Sequence, residues 1–78
     1  MNEIKKGQVY KNIEVFKGFT FQIIGRISMH NYLVKSTKLQ KIPQKGLVYS
    51  KNERFKLSKR AIINCCELIN KSSTIKKL

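Results

Sequence analysis

Phe19, Phe21 and Ile23 alternate with Thr20 and Gln22, and a two-residue period of this kind commits the segment to a strand with one apolar and one polar face. The period slips at Ile24, after which Gly25 and Ile27 resume it on the shifted face. That slip predicts a bulge or sharp bend near Ile24-Gly25, the device by which a small sheet curls on itself. The same period returns in Arg54 to Leu57, where Phe55 and Leu57 share one face and Arg54 and Lys56 the other.

The rest of the chain fits around these two strands. Gln8 to Phe16, rich in Val, Tyr, Ile and Phe, predicts a first strand, punctuated by Lys17-Gly18. Met29-His30-Asn31 reads as a hairpin tip, because Asn tolerates positive φ, and Tyr32 to Ser36 as the returning strand. Thr37 to Gly46 reads as a loop: Pro43 lacks a backbone donor and Gly46 suits a turn. Leu47 to Ser50 is a short strand and Lys51-Asn52-Glu53 a polar turn. Beyond Leu57 the period changes, with Ser58 as an N-cap. Ala61, Ile62, Cys65, Cys66 and Ile69 fit either a helix of two to three turns, or one helical turn at Ser58 to Asn64 and a last strand from Cys65 to Ile69. A small barrel needs a closing strand, which favours the second. The expected core is Phe19, Phe21, Ile23, Val34, Phe55 and Leu57.

With 78 residues the chain suits one small domain burying ~60–65 % of its unfolded surface. Its expected extent is 1–70, followed by a basic tail, 71–78, whose lysines have no acid to pair with. The opening residues contain two lysines but no apolar run behind them, and no stretch approaches the roughly 18 apolar residues of a spanning helix. Adjacent Cys65 and Cys66 would close a strained ring if oxidised, so reduced thiols in a cytoplasm are expected.

Lys6-Gly7-Gln8-Val9-Tyr10, Thr20-Phe21-Gln22-Ile23-Ile24, Tyr32-Leu33-Val34-Lys35, Phe55-Lys56-Leu57-Ser58 and Cys66-Glu67-Leu68-Ile69 together resemble the small SH3-like barrels found in many phage and mobile-element reading frames. The opening is similar to that of KOW-type modules, where a Gly between basic and apolar residues starts the first strand. The resemblance spans about residues 4–69. It implies a mainly β fold, a small SH3-like barrel of about five strands with a short C-terminal helical turn or helix. It also implies a choice among nucleic-acid binding, ribosome or polymerase contact, peptide docking and inhibitor roles.

Charge narrows the choice. The chain carries 17 Lys+Arg against 4 Asp+Glu, and none of the four acids is Asp, for a formal charge of +13. Such a field attracts polyanions and strains a small folded body, so an excess this large serves binding; a nucleotide bias toward Lys, Ile and Asn codons is the alternative source. Lys38, Lys41, Lys45, Arg54, Lys56, Lys59 and Arg60 crowd one stretch with Glu53 as its single acid. With Lys35, and with Arg26 and Tyr32 at the edge, they form the expected contact surface for a nucleic-acid backbone or a ribonucleoprotein. Tyr10, Tyr32 and Tyr49 are candidates to stack on bases, against the alternative that they fill the core. Lys outnumbers Arg 14 to 3, which favours backbone contact over guanine reading.

Catalysis finds no footing. Glu3, Glu14, Glu53 and Glu67 stand singly, unlike the clustered carboxylates of metal-dependent phosphoryl chemistry, and the lone His30 sits on an expected turn. Cys65-Cys66 lacks the spacing of a zinc pair and reads as two packed thiols. The expectation is a non-enzymatic binding protein without cofactor. The competing reading is a phage-encoded inhibitor or accessory factor that docks on a host protein or ribonucleoprotein, as anti-defence (anti-CRISPR-like) proteins do.

Overall fold

The computed structural model describes residues 4–42 and 45–70. Strands β1 (Val9–Asn12), β2 (Thr20–Arg26) and β3 (Asn31–Ser36) form an antiparallel meander, and β4 (Gln40–Ile42) pairs with β5 (Leu47–Tyr49) in a separate hairpin. Strand β6 (Arg54–Ser58), the short helix α1 (Lys59–Cys65) and β7 (Cys66–Asn70) follow. Five strands make one antiparallel sheet in the order β6-β3-β2-β1-β7. The domain is therefore mainly β, and among the described residues β6 and β7 form no ladder with each other. The expected tail at 71–78, and Pro43 in the expected loop, lie outside the described residues.

The bulge stands where the slipped period predicts it. Ile23 pairs with Val34, but the next register partner of Leu33 is Gly25, so Ile24 is the extra residue. The first strand is shorter than its composition suggests. Asn12 ends it: its Oδ1 accepts from the backbone N of Glu14 at 3.0 Å and of Phe16 at 3.2 Å, a local turn that competes with the ladder. Gly18, at φ 91°, then reverses the chain into β2. At the β2–β3 turn, Asn31 does not use its tolerance of positive φ. It opens β3 instead, and the non-glycine residue with positive φ among those described is Asn52, at 69°, in the turn before β6.

Within the stretch read as a loop, residues 40–42 form a strand. Gln40 and Ile42 point inward while Lys41 is exposed, a strand too short for its alternation to register, with a polar residue at one inward position. Gln40 explains why a polar group can sit there. Its Oε1 accepts from the Thr20 N–H at 2.8 Å, and its Nε2 donates to the Thr20 carbonyl and to Ser36 Oγ, both at 2.7 Å. The side-chain amide thus satisfies strand-start groups that a neighbouring strand would otherwise serve, and ties the hairpin to the sheet. Gln40→Ala strips the Thr20 N–H of this acceptor and is expected to cost ~1–3 kcal/mol, read from the urea midpoint.

The segment after β6 follows the helical-turn-plus-strand alternative. Ser58 Oγ accepts from Ala61 N at 3.1 Å and caps α1, whose one fully buried residue is Ile62, and the chain returns to extended backbone at Cys66. Ile62 packs with Tyr10, Phe19, Phe21, Ile23, Tyr32, Val34 and Ile42 on the inner face of the sheet. Phe55 and Leu57 are half-buried against this core. Rings extend it toward the hairpin, with Phe19 and Phe55 centroids 5.8 Å apart and Tyr49 and Phe55 centroids 4.6 Å apart.

Candidate functional site

The outer face of the sheet carries charge in an ordered way. Lys35 on β3 stands in register with Arg54 on β6, and Leu33 with Lys56, so three cations share the outer face of two adjacent strands. Like charges placed directly across a strand pair cost stability, of order 0.2–1 kcal/mol. At the far edge, Lys11 on β1 is opposite Glu67 on β7. Four strand spacings, roughly 19 Å along the sheet, separate β7 from β6. In the β3–β6 ladder, by contrast, no carboxylate stands in register with Lys35, Arg54 or Lys56.

The remaining expected contact residues fall in two other places. Lys38 and Lys41 border a cleft of about 650 Å³ between the β1–β2 turn and β4, together with Phe16, Lys17 and Leu39. Lys45 reaches the same region, its Nζ 5.4 Å from the Phe16 ring centroid, a cation–π contact. At the opposite end, Arg26 and Lys59 border a depression with Lys6, and Lys59 and Arg60 border a neighbouring one with exposed His30. Nine of the ten residues expected to form one surface are thus spread over the outer sheet face, the hairpin cleft and the α1 end. Lys6 and Lys17 join them without having stood out in the sequence, because single lysines in turns look like any solvated residue.

Tyr32 does not belong with the exposed set. It is 6 % exposed and part of the core, as is Tyr10 at 5 %, and rings so covered offer no face to a base. Tyr49 is half-buried between Phe19 and Phe55. Tyr10 donates its phenol to Gln8 Oε1 at 3.0 Å, and burial raises its pKa, with nearby Tyr32 and Cys66 adding to the rise. The aromatics took the core side of the alternatives because each sits at an inward position of its strand.

Cys65 and Cys66 are free and half-buried. Burial pushes the Cys66 thiol up to about 11, Cys65 adding to it, and the thiol donates to the Ala61 carbonyl at 3.6 Å. A thiol held neutral in the folded state stabilises the fold at pH values below the ordinary thiol range and withdraws that support as the pH climbs toward 11. Unfolding midpoints are therefore expected to fall between about pH 9 and 11, and to fall less in Cys66→Ala. Iodoacetamide should label Cys66 slowly at pH 8 in the folded protein and rapidly in urea.

Among the described residues no group of three or more His, Cys, Asp or Glu side chains could hold a metal ion, and no helix is long and apolar enough to cross a membrane. No family model, curated protein or solved structure matches the chain.

Proposed function

We infer that this protein is a non-catalytic nucleic-acid-binding module whose outer sheet face, through Lys35, Arg54 and Lys56, lies along a phosphate backbone. The observation that carries the reading is the register of Lys35 opposite Arg54, a repulsive pair that folding alone does not favour and that an anion laid across both strands would relieve. Lys59 and Arg60 continue the cationic path from β6 into α1. The strand order β7-β1-β2-β3-β6, the bulge in β2 and the short helix before the last strand support an SH3-like barrel as the finer description, with β4 and β5 inserted between its third and fourth strands. The setting that fits is a cytoplasm, where nucleic acid and ribonucleoprotein are at hand.

Fluorescence anisotropy with labelled single- and double-stranded DNA and RNA over a salt series tests the reading. Binding that weakens log-linearly with salt supports it. No measurable affinity at low salt for any of the four overturns it.

A second reading rests on a different feature. Leu39, which borders the lysine-lined cleft, and Leu47 and Val48 on the neighbouring strand β5 are 67 %, 41 % and 53 % exposed, more apolar surface than backbone binding calls for. This favours docking on a host protein or ribonucleoprotein, as a phage-type inhibitor would. Capture of a protein from nuclease-treated extract that persists at moderate salt supports this reading.

A further inference from the structure

Three cations from three separate elements converge on the depression at the α1 end. Lys6 comes from the turn before β1, Arg26 from the end of β2 and Lys59 from the start of α1. All three are exposed, and no carboxylate is found among the described residues that line the depression. Its wall also includes Tyr32, so its base is core rather than mobile loop.

Gly25 belongs to the same wall. It lines the same depression in the interior of β2, where glycine weakens a strand by roughly 0.5–1 kcal/mol relative to alanine. Gly25 is where β2 returns to register after the bulge, opposite Leu33, and a bulge is an ordinary place for a strand glycine; its φ is not in the positive range, and a Cβ built on it meets no atom within 4 Å.

We propose that the depression bounded by Lys6, Gly25, Arg26 and Lys59 binds a phosphomonoester. A terminal phosphate carries a charge of about −1.5 to −2 at neutral pH, against one for an internal diester, and three converging cations select the more highly charged group. Arg26 offers a planar fork to two phosphate oxygens while Lys6 and Lys59 act as point charges. The phosphomonoester is carried either on the end of a nucleic-acid strand, which rests on the backbone-binding reading above, or on a free mononucleotide, which does not.

Two measurements on the full chain test the site. In the first, a 5′-phosphorylated oligonucleotide is compared with the same sequence bearing a 5′-hydroxyl; the phosphorylated strand is expected to bind about tenfold more tightly. Arg26→Gln and Lys59→Gln should each remove most of that ratio, whereas changing Lys35, Arg54 and Lys56 to Gln should weaken both strands and leave the ratio in place. In the second, a nucleoside 5′-monophosphate is titrated into isotope-labelled protein, and saturable shifts of the Gly25 and Arg26 amide resonances that are lost in Arg26→Gln are expected. Failure of both oligonucleotides to bind, with the monophosphate shifts intact, removes the backbone reading and leaves the site to free mononucleotides. Equal affinities for the two strands together with absent or non-saturating monophosphate shifts overturn the site, whatever becomes of the backbone reading.

Discussion

Phe21→Ala is expected to lower the unfolding free energy by ~3–5 kcal/mol, the range for deleting a fully buried aromatic ring. Phe21 is 1 % exposed, with its ring 6.0 Å from that of Tyr10 in a stacked arrangement. It belongs to a cluster of eight buried apolar residues among those described, so little neighbouring side chain is free to move into the space it leaves. A domain of this length has roughly 4–12 kcal/mol of stability in total, and the substitution takes a large part of that. Urea unfolding followed by circular dichroism checks it. A midpoint shift corresponding to less than about 1 kcal/mol would mean that Phe21 does not anchor the sheet.

Replacing Lys35, Arg54 and Lys56 together by Gln should have the opposite profile. Removing the cross-strand Lys35–Arg54 repulsion leaves stability unchanged or slightly raised, because only Lys35 is half-buried and neither arginine nor lysine in the set has a carboxylate partner among the described residues. Nucleic-acid affinity should fall steeply, and the log–log salt slope should become shallower by roughly 0.7–0.9 for each cation that touched a phosphate, approaching two or more for the triple variant. The matched variant of Lys38, Lys41 and Lys45 removes the same charge from the hairpin cleft. If the two variants lose affinity equally, the partner responds to net charge and the ordered outer face has no special part. If the cleft variant alone abolishes capture of a host protein, the docking reading takes precedence.

Much of this architecture is written in short-range pattern. The alternation of Phe19, Phe21 and Ile23, its slip at Ile24, the face split of Arg54 to Leu57 and the Ser58 cap are each decided by residues within a few positions of one another, so a one-dimensional reading reaches them. The separation of Arg54 and Lys56 from Phe55 and Leu57 follows from strand geometry alone. So does the excess of positive charge, which is a property of composition.

Tertiary structure decided the rest, because it depends on pairings far apart in the chain. The Gln40 amide became a structural tie only when folding brought it against Thr20, twenty residues earlier, and that made a strand of what reads as loop. Whether Tyr32 faced a base or the core turned on which side of β3 the sheet buried. The grouping of cations was likewise spatial: Lys35 meets Arg54 only through the β3–β6 register, and Lys6, Arg26 and Lys59 share a depression although 53 positions separate the first from the last. The sequence by itself determined that this protein is a small, strongly basic, mainly β domain, since composition and two-residue periodicity are local quantities. Where its charges converge was decided by long-range strand register, which local periodicity does not encode.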